Sequence, residues 1–217
     1  MHIDVLIPTW NRPELLRACV QSIAQSTQKD VSIFVIIDGN LGLIETVSRW
    51  NVAIIVNQER RDWIFSINKG LQFAHGDGII YACDDLVFHK DCIANAVVAM
   101  KEKFPDGDGL VAIKQSVVGC NTAFGLFGHK FIERFPEQCV FCPDYVHYGS
   151  DSELGRFARS INRLHICEEA RVIHHRLKDA TYSIAKPMEV QDFHFIDARR
   201  KAGLLWGRDF QLLRKQG

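Results

Sequence analysis

The chain has 217 residues, 47% of them apolar and 24% charged, and 26 basic side chains balance 26 acidic ones. These totals fit one globular domain, or one domain with a small appendage. A formal net charge of zero excludes a chain built as a whole for polyanions and leaves only a local patch for that role. No apolar run approaches the ~20 residues of a membrane-spanning helix.

Met1-His2-Ile3-Asp4-Val5 runs straight into a strand pattern, so no signal peptide is expected. The seven cysteines are scattered. Cys139 and Cys142 form the one close pair, and no second pair completes a zinc site. Reduced thiols in a cytoplasmic protein are the expectation.

Residues 3–8 read as a first strand, followed by a turn at 9–13. Pro13 suits the first position of a helix. Leu15, Leu16, Cys19, Val20 and Ile23 then recur at helical spacing to about residue 25. Strands are predicted over 31–37, ending at Asp38-Gly39, and over 52–56, ending at Asn57, with a short helix at 43–50 between them. Residues 64–75 predict a helix. Residues 79–85 form an apolar run that stops at two adjacent carboxylates, Asp84 and Asp85. A helix over 91–104, turn residues at 105–109 and a strand over 110–118 follow. This alternation predicts a mixed, mainly parallel α/β sheet flanked by helices.

From Gly119 the character changes. Residues 119–128 are glycine-rich and nearly uncharged, and read as an ordinary loop or as the wall of a second substrate site. A short helix is expected at 129–135, irregular aromatic-rich chain at 136–150, a helix at 152–162 and a strand at 166–174. Beyond Ala180 the chain turns helical and basic, with Arg199, Arg200, Lys201, Arg208, Arg214 and Lys215 against a single acid, Asp209, over residues 199–215. That run is a solvated helix face or a patch for a polyanionic acceptor.

The carboxylate pair at the end of a buried strand carries the chemistry. Two adjacent acids are costly there unless something positive satisfies them. The carboxyl ends of strands are where open α/β sheets bind ligands. A divalent cation carrying phosphates would answer the charge; a turn that caps the next helix is the structural alternative.

Six patches in order resemble glycosyltransferase family 2. They are Pro8-Thr9-Trp10-Asn11-Arg12 with Leu15, Leu16, Cys19, Ser22 and Ile23; Val35-Ile36-Ile37-Asp38-Gly39; Asn68-Lys69-Gly70-Leu71 with Ala74 and Gly76; Asp84-Asp85; Tyr148-Gly149-Ser150-Asp151-Ser152-Glu153-Leu154; and Val172-Ile173-His174-His175. The resemblance implies a GT-A fold, a nucleoside-diphosphate sugar donor, Mn2+ or Mg2+, and transfer with inversion to a hydroxyl acceptor. It implies a domain over 1–180, with a nucleotide-sugar half at 1–118 and an acceptor half at 119–180. A helical extension over 181–217 packs on it. Pro8, Thr9, Asn11 and Arg12 would line the nucleotide pocket, and Asp38 would accept from the base. Arg60, Arg61 and Asn68 fall where further donor contacts lie. Asp84 would lie near the ribose and Asp85 on the metal, with His174 near the metal or diphosphate. Asp151 would be the general base.

Two positions depart from the family pattern. Cys83 stands where the metal motif usually begins with Asp, which bears on metal affinity. Ser150 replaces the acid that commonly precedes the base, leaving Asp151 with Glu153 as fallback. Asp151 as a helix cap and one of His174 and His175 as a surface residue remain open. So do the functional alternatives: a single-sugar transferase to a saccharide, lipid-linked glycan, protein or modified nucleic-acid base, or a module that binds a sugar nucleotide without transferring it. A nucleotidyltransferase is disfavoured because residues 9–13 contain no glycine.

Overall fold

A computed structural model describes residues 1–208; Asp209, Arg214 and Lys215 of the basic run lie outside the described residues. The sheet is laid down from β1 (Ile3–Thr9), which is buried along its whole length. Its side chains alternate between faces: Ile3, Val5 and Ile7 join one apolar cluster and Leu6 joins the other, as the pleat requires. β2 (Val31–Asp38) and β3 (Ala53–Asn57) extend the sheet on one side and β4 (Gly78–Tyr81) on the other, all parallel. The connections carry α1 (Pro13–Ala24), a 3₁₀ turn at Leu41–Leu43 with α2 (Ile44–Val47), and α3 (Asp62–Leu71). α1 starts on Pro13 and buries Leu16, Cys19 and Ile23 in the first cluster, whereas α3 buries Ile64, Ile67 and Leu71 in the second. One helix layer thus covers each face.

The second half is mixed. β5 (Leu86–Phe88) sits at the far edge, and α4 (Cys92–Lys103) packs on the α1 side of the sheet. β6 (Leu110–Gln115) and β8 (Leu164–His174) are parallel, while β5 runs antiparallel to β8. The strand order is β3-β2-β1-β4-β7-β6-β8-β5 in one eight-stranded sheet. β7 (Gly125–Gly128) lies between β4 and β6, antiparallel to both. It comes from the stretch read as a loop or substrate-site wall. Glycine is needed there because the chains approach closely: a Cβ on Gly128 would lie 2.2 Å from the Gly107 carbonyl oxygen. Phe127 between the glycines stacks on Tyr81 at 4.6 Å.

α5 (His129–Ile132) and α6 (Ser150–Ser160) add to the second cluster, and α7 (Ala180–Ala185) and α8 (Met188–Lys201) close the C-terminal side. No helix among the described residues is long and apolar enough to cross a membrane. α8 is fastened through Glu153, which is 2% exposed. Its carboxylate accepts from Arg199 Nε at 2.9 Å and Nη2 at 2.8 Å, from the Tyr145 hydroxyl at 2.7 Å and from the Trp206 amide at 2.8 Å. Arg199 therefore belongs to the interior and not to a basic surface patch.

Burial pushes the Glu153 carboxyl up, but the bonds from Arg199, Tyr145 and Trp206 outweigh it and hold the group below its ordinary 4.5. Glu153→Ala strands a buried guanidinium and is expected to cost about 3–5 kcal/mol of stability near neutral pH. A carboxylate with a depressed folded pKa stabilises above its unfolded value, and loses that contribution as pH falls through the folded one. Denaturant unfolding should therefore show the gap between wild type and variant narrowing below pH 4.5.

Candidate active site

A cleft of about 700 Å³ opens at the carboxyl ends of β1, β2 and β4, with α6, the end of β8 and α7 forming its other walls. It gathers Pro8, Thr9, Arg12, Asp38, Asp84, Asp85, Asp151 and His174. It does not gather Asn11, Arg61 or Asn68. Asn11 is exposed and lies 3.5 Å from the Asn40 amide. Arg61 sits over the Phe65 ring at 4.1 Å. Asn68 falls on the buried face of α3, where its amide donates to the Phe141 carbonyl at 2.7 Å and accepts from the Phe141 N–H at 3.0 Å. It fastens the 136–150 loop to α3.

Asp84 and Asp85 occupy the turn after β4, both about 5% exposed. Asp84 accepts from the Thr9 hydroxyl at 2.8 Å and from Arg12 Nη1 at 3.3 Å. Asp85 presents Oδ2 to Arg12 Nη1 at 3.4 Å, while its Oδ1 lies 3.4 Å from His174 Nε2 and 2.7 Å from Cys83 Sγ. The two neighbours are driven apart. Burial, with Asp85 adding to it, pushes Asp84 up to about 7 against the pull of Arg12. Burial also works against Asp85, but His174, Cys83 and Arg12 hold it down to about 2. Arg12 stays firmly protonated, because Asp179, Asp84 and Asp85 outweigh its own desolvation.

At the far end of β2, the Asp38 carboxylate accepts from Asn57 Nδ2 at 2.8 Å and from the amides of Arg61 and Asp62 at 2.9 and 2.8 Å. A carboxylate has roughly four acceptor positions, so Asp38 holds the start of α3 and keeps about one position for anything else. The wall beside it was only partly legible from motifs. The Arg60 guanidinium lies 4.5 Å over the Trp10 ring and pairs with Asp62 at 2.7 Å. Arg60 Nη1, His147 Nδ1 and Ser150 Oγ are buried along the cleft with no hydrogen-bond partner among the described residues.

Asp151 stands in the first turn of α6. The turn is set by Gly149, whose φ of 89° is left-handed and whose Cβ would fall 2.2 Å from Ile196. Burial raises the Asp151 carboxyl above its ordinary value, against bonds from the Ser152 amide and the Cys120 thiol. Glu153, the fallback base, is ruled out by its place in the Arg199 clamp. His174 is half-buried and His175 exposed.

The C-terminal wall was not legible in advance. Arg176, Lys178, Thr181 and Tyr182 all face the cleft. Asp179 caps α7 by accepting from the Tyr182 amide at 3.0 Å, and takes a forked pair from Arg12 at 2.7 and 2.8 Å. No local sequence signal links positions 12 and 179.

Residues 4–126 match the sequence profile of Glycosyl transferase family 2, more than half of the chain. The chain belongs to glycosyl transferase family 2. No curated protein matches it by sequence. Among solved structures, this family 2 chain superposes on the mannosyltransferase PcManGT from Pyrobaculum calidifontis in complex with GDP-Man and Mn2+. The TM-score is 0.71 at 18% identity, over 92% of this chain and 64% of that one. TarS 1-349 of S. aureus matches with a TM-score of 0.62 at 14% identity, over 80% of this chain and 60% of that one. Its complex with UDP-GlcNAc matches at 0.62 and 15%, over 82% and 60%. The chain thus spans 60–64% of the length of these structures. The likeness is one of fold, and the fold is GT-A. The profile match ends before Asp151 and His174, so this family 2 chain brings both to the cleft through parts the profile does not reach.

Replacing Arg12 by Ala removes the cation shared by three carboxylates. The expected result is a stability loss on the order of 3 kcal/mol, together with faster proteolytic cleavage within residues 175–187 as the Asp179 anchor is lost. Limited proteolysis read by mass spectrometry checks the second outcome, and unchanged cleavage in that segment would refute it.

Proposed function

We propose that this chain is an inverting glycosyltransferase that moves one sugar from a nucleoside-diphosphate donor to a hydroxyl acceptor, with Asp151 as general base. The observation that carries this reading is a single cleft, in a family 2 chain, with the Asp84–Asp85 pair on one wall and the raised carboxyl of Asp151 on another. The donor nucleotide lies along the ends of β1 and β2, where Trp10 and Arg60 offer a stacking face and Asp38 keeps an acceptor position. The neighbours of this fold were solved with GDP-Man and with UDP-GlcNAc, so guanine and uracil donors are the two to test first.

Asp85 and His174 are the residues that would hold a divalent cation, Mn2+ or Mg2+. Their donor atoms, with Cys83 Sγ, lie within 4.8 Å of one another, and the neighbouring mannosyltransferase was solved with Mn2+. A bound cation would supply charge neutralisation to the departing diphosphate. Arg176 and Lys178, just beyond the end of β8, add positive charge from the chain itself. Asp151 takes the acceptor proton as the hydroxyl attacks; a placed base of this kind contributes roughly 10²–10⁴-fold. Inversion needs base and leaving group on opposite sides of the sugar, and α6 and the turn after β4 furnish two separate walls. The acceptor is a saccharide, a protein, a lipid-linked glycan or a modified nucleic-acid base.

Two measurements test this. A thermal-shift screen of GDP and UDP with Mn2+ should raise Tm for one nucleotide, since a ligand at about 100 times its Kd adds about 2.7 kcal/mol. Donor turnover should fall roughly 10²–10⁴-fold in Asp151→Asn while that nucleotide shift persists, and should stop on chelation and return with Mn2+. The base must be ionised, so kcat/KM falls as pH drops through a value above the ordinary 3.8 of aspartate. Wild type and Asp151→Asn equally inert toward both sugar-nucleotide classes, with the nucleotide shift intact, would favour a binding module instead.

A further inference from the structure

The residue that departs from the family metal motif sits against the two residues that would hold the cation. Cys83 Sγ lies 2.7 Å from Asp85 Oδ1, and His174 Nε2 lies 3.4 Å from the same oxygen. The three donor atoms converge from two elements, the turn after β4 and the end of β8, and all three residues line the cleft.

A second observation points the same way. Gln115 Nε2 donates to the Cys120 carbonyl at 2.9 Å, which orients its amide. Gln115 Oε1 then faces His174 Nδ1 at 2.8 Å, so Nδ1 carries the proton of that bond. That bond turns the ring so that its other nitrogen, Nε2, faces the Asp85 Oδ1 at 3.4 Å. Phe124 packs edge-on to the ring at 5.1 Å and holds its plane. A histidine held through its other nitrogen in this way is the outer-shell arrangement of metal ligands. The ring nitrogen, the carboxylate oxygen and the sulfur lie within 4.8 Å of one another, so that each can offer one donor atom to a cation between them.

We propose that Cys83 is itself a metal ligand, and that Cys83, Asp85 and His174 form a site biased by its sulfur toward thiophilic divalent cations of the Zn2+ and Co2+ class and away from Mg2+. This rests on the reading of the cleft as a cation-assisted donor site and specifies what the cation is. On binding, the Cys83 S–H bond breaks, the proton goes to solvent and the sulfur–metal bond forms, with no change of oxidation state. Three protein ligands leave positions open for substrate oxygens. Asp85 Oδ2 remains with Arg12 at 3.4 Å, which leaves Oδ1 for the metal.

Any nitrogen and oxygen site already ranks Zn2+ above Mn2+, so the diagnostic quantity is how that ranking depends on position 83. The full chain, stripped with chelator, is titrated with Co2+ and read by absorbance. Wild type should develop a near-ultraviolet thiolate-to-cobalt band that Zn2+ in slight excess removes and Mg2+ in large excess does not. Cys83→Ser should lose the band. Cys120→Ser, which changes the other cleft thiol, should keep it. Cys83→Asp, which restores the usual acid, should lower the ratio of Zn2+ to Mn2+ affinity by on the order of tenfold or more. Circular dichroism confirms that each variant folds. A band that survives in Cys83→Ser, or a ratio unmoved in a folded Cys83→Asp, overturns the proposal. Mn2+ binding by wild type without any thiolate band also overturns it and leaves the cation-assisted reading standing. Failure of the wild type to bind any of these cations overturns both.

Discussion

Arg12 lies among three carboxylates, and its position determines what the cleft can be. It reaches Asp84 and Asp85 from the end of β1 and takes Asp179 in a fork. A guanidinium has five donors in a fixed plane, which lets one side chain serve acids from two distant parts of the chain. Two adjacent buried acids cannot ionise together cheaply. Arg12 tempers the penalty without removing it, and the remainder appears as a division between neighbours. Asp84, enclosed with Thr9, is pushed up to about 7, and Asp85, facing His174 and Cys83, is held down to about 2. One oxygen pair is thereby kept anionic and turned toward the cleft, while its neighbour is absorbed into the frame.

The sheet places these groups where it does because its order reverses beside β4. Strands β3, β2, β1 and β4 run parallel, and β7 then enters antiparallel. Ligand sites in open α/β sheets lie outside the strand ends near such a change. β7 and β6 carry the chain across, and β8 and α6 return to the same rim with His174 and Asp151. The first half supplies the fixed acids and the second half supplies groups on separate walls.

The first half was legible in the sequence because parallel strands buried on both faces read as apolar runs, and because Pro13 and the 3.6-residue spacing mark α1. Asp84, Asp85 and Asp38 announced themselves as acids ending such runs. β7 was not legible. A four-residue strand with glycine at both ends has too short a pattern to show alternation, and its Gly128 answers a close approach by Gly107 that sequence does not display. Asn68 looked like a donor contact because its neighbourhood matched a motif, yet its amide is engaged by Phe141, seventy-three residues away. Cys83 departs from a family pattern that has an acid there, and only the placement of His174 and Asp85 around it brings the sulfur into a group that could hold a metal. The Arg12–Asp179 fork joins residues whose separation gives no local signal.

The choice between two acids on α6 follows from helix geometry. Positions two apart on a helix are turned by about 200°, so Asp151 and Glu153 face nearly opposite directions. Glu153 points into the second apolar cluster, where Arg199, Tyr145 and Trp206 occupy its oxygens. Asp151 points to the cleft, where burial raises it and its bonds come from a neighbouring amide and a thiol. A base must have an accessible lone pair and a proton affinity above that of an ordinary exposed carboxylate. Glu153 has neither, because its charge is held by a cation and its pKa is depressed. Asp151, the base we propose, lines the cleft with a raised carboxyl, and the clamp that occupies its neighbour also fixes the helix that carries it.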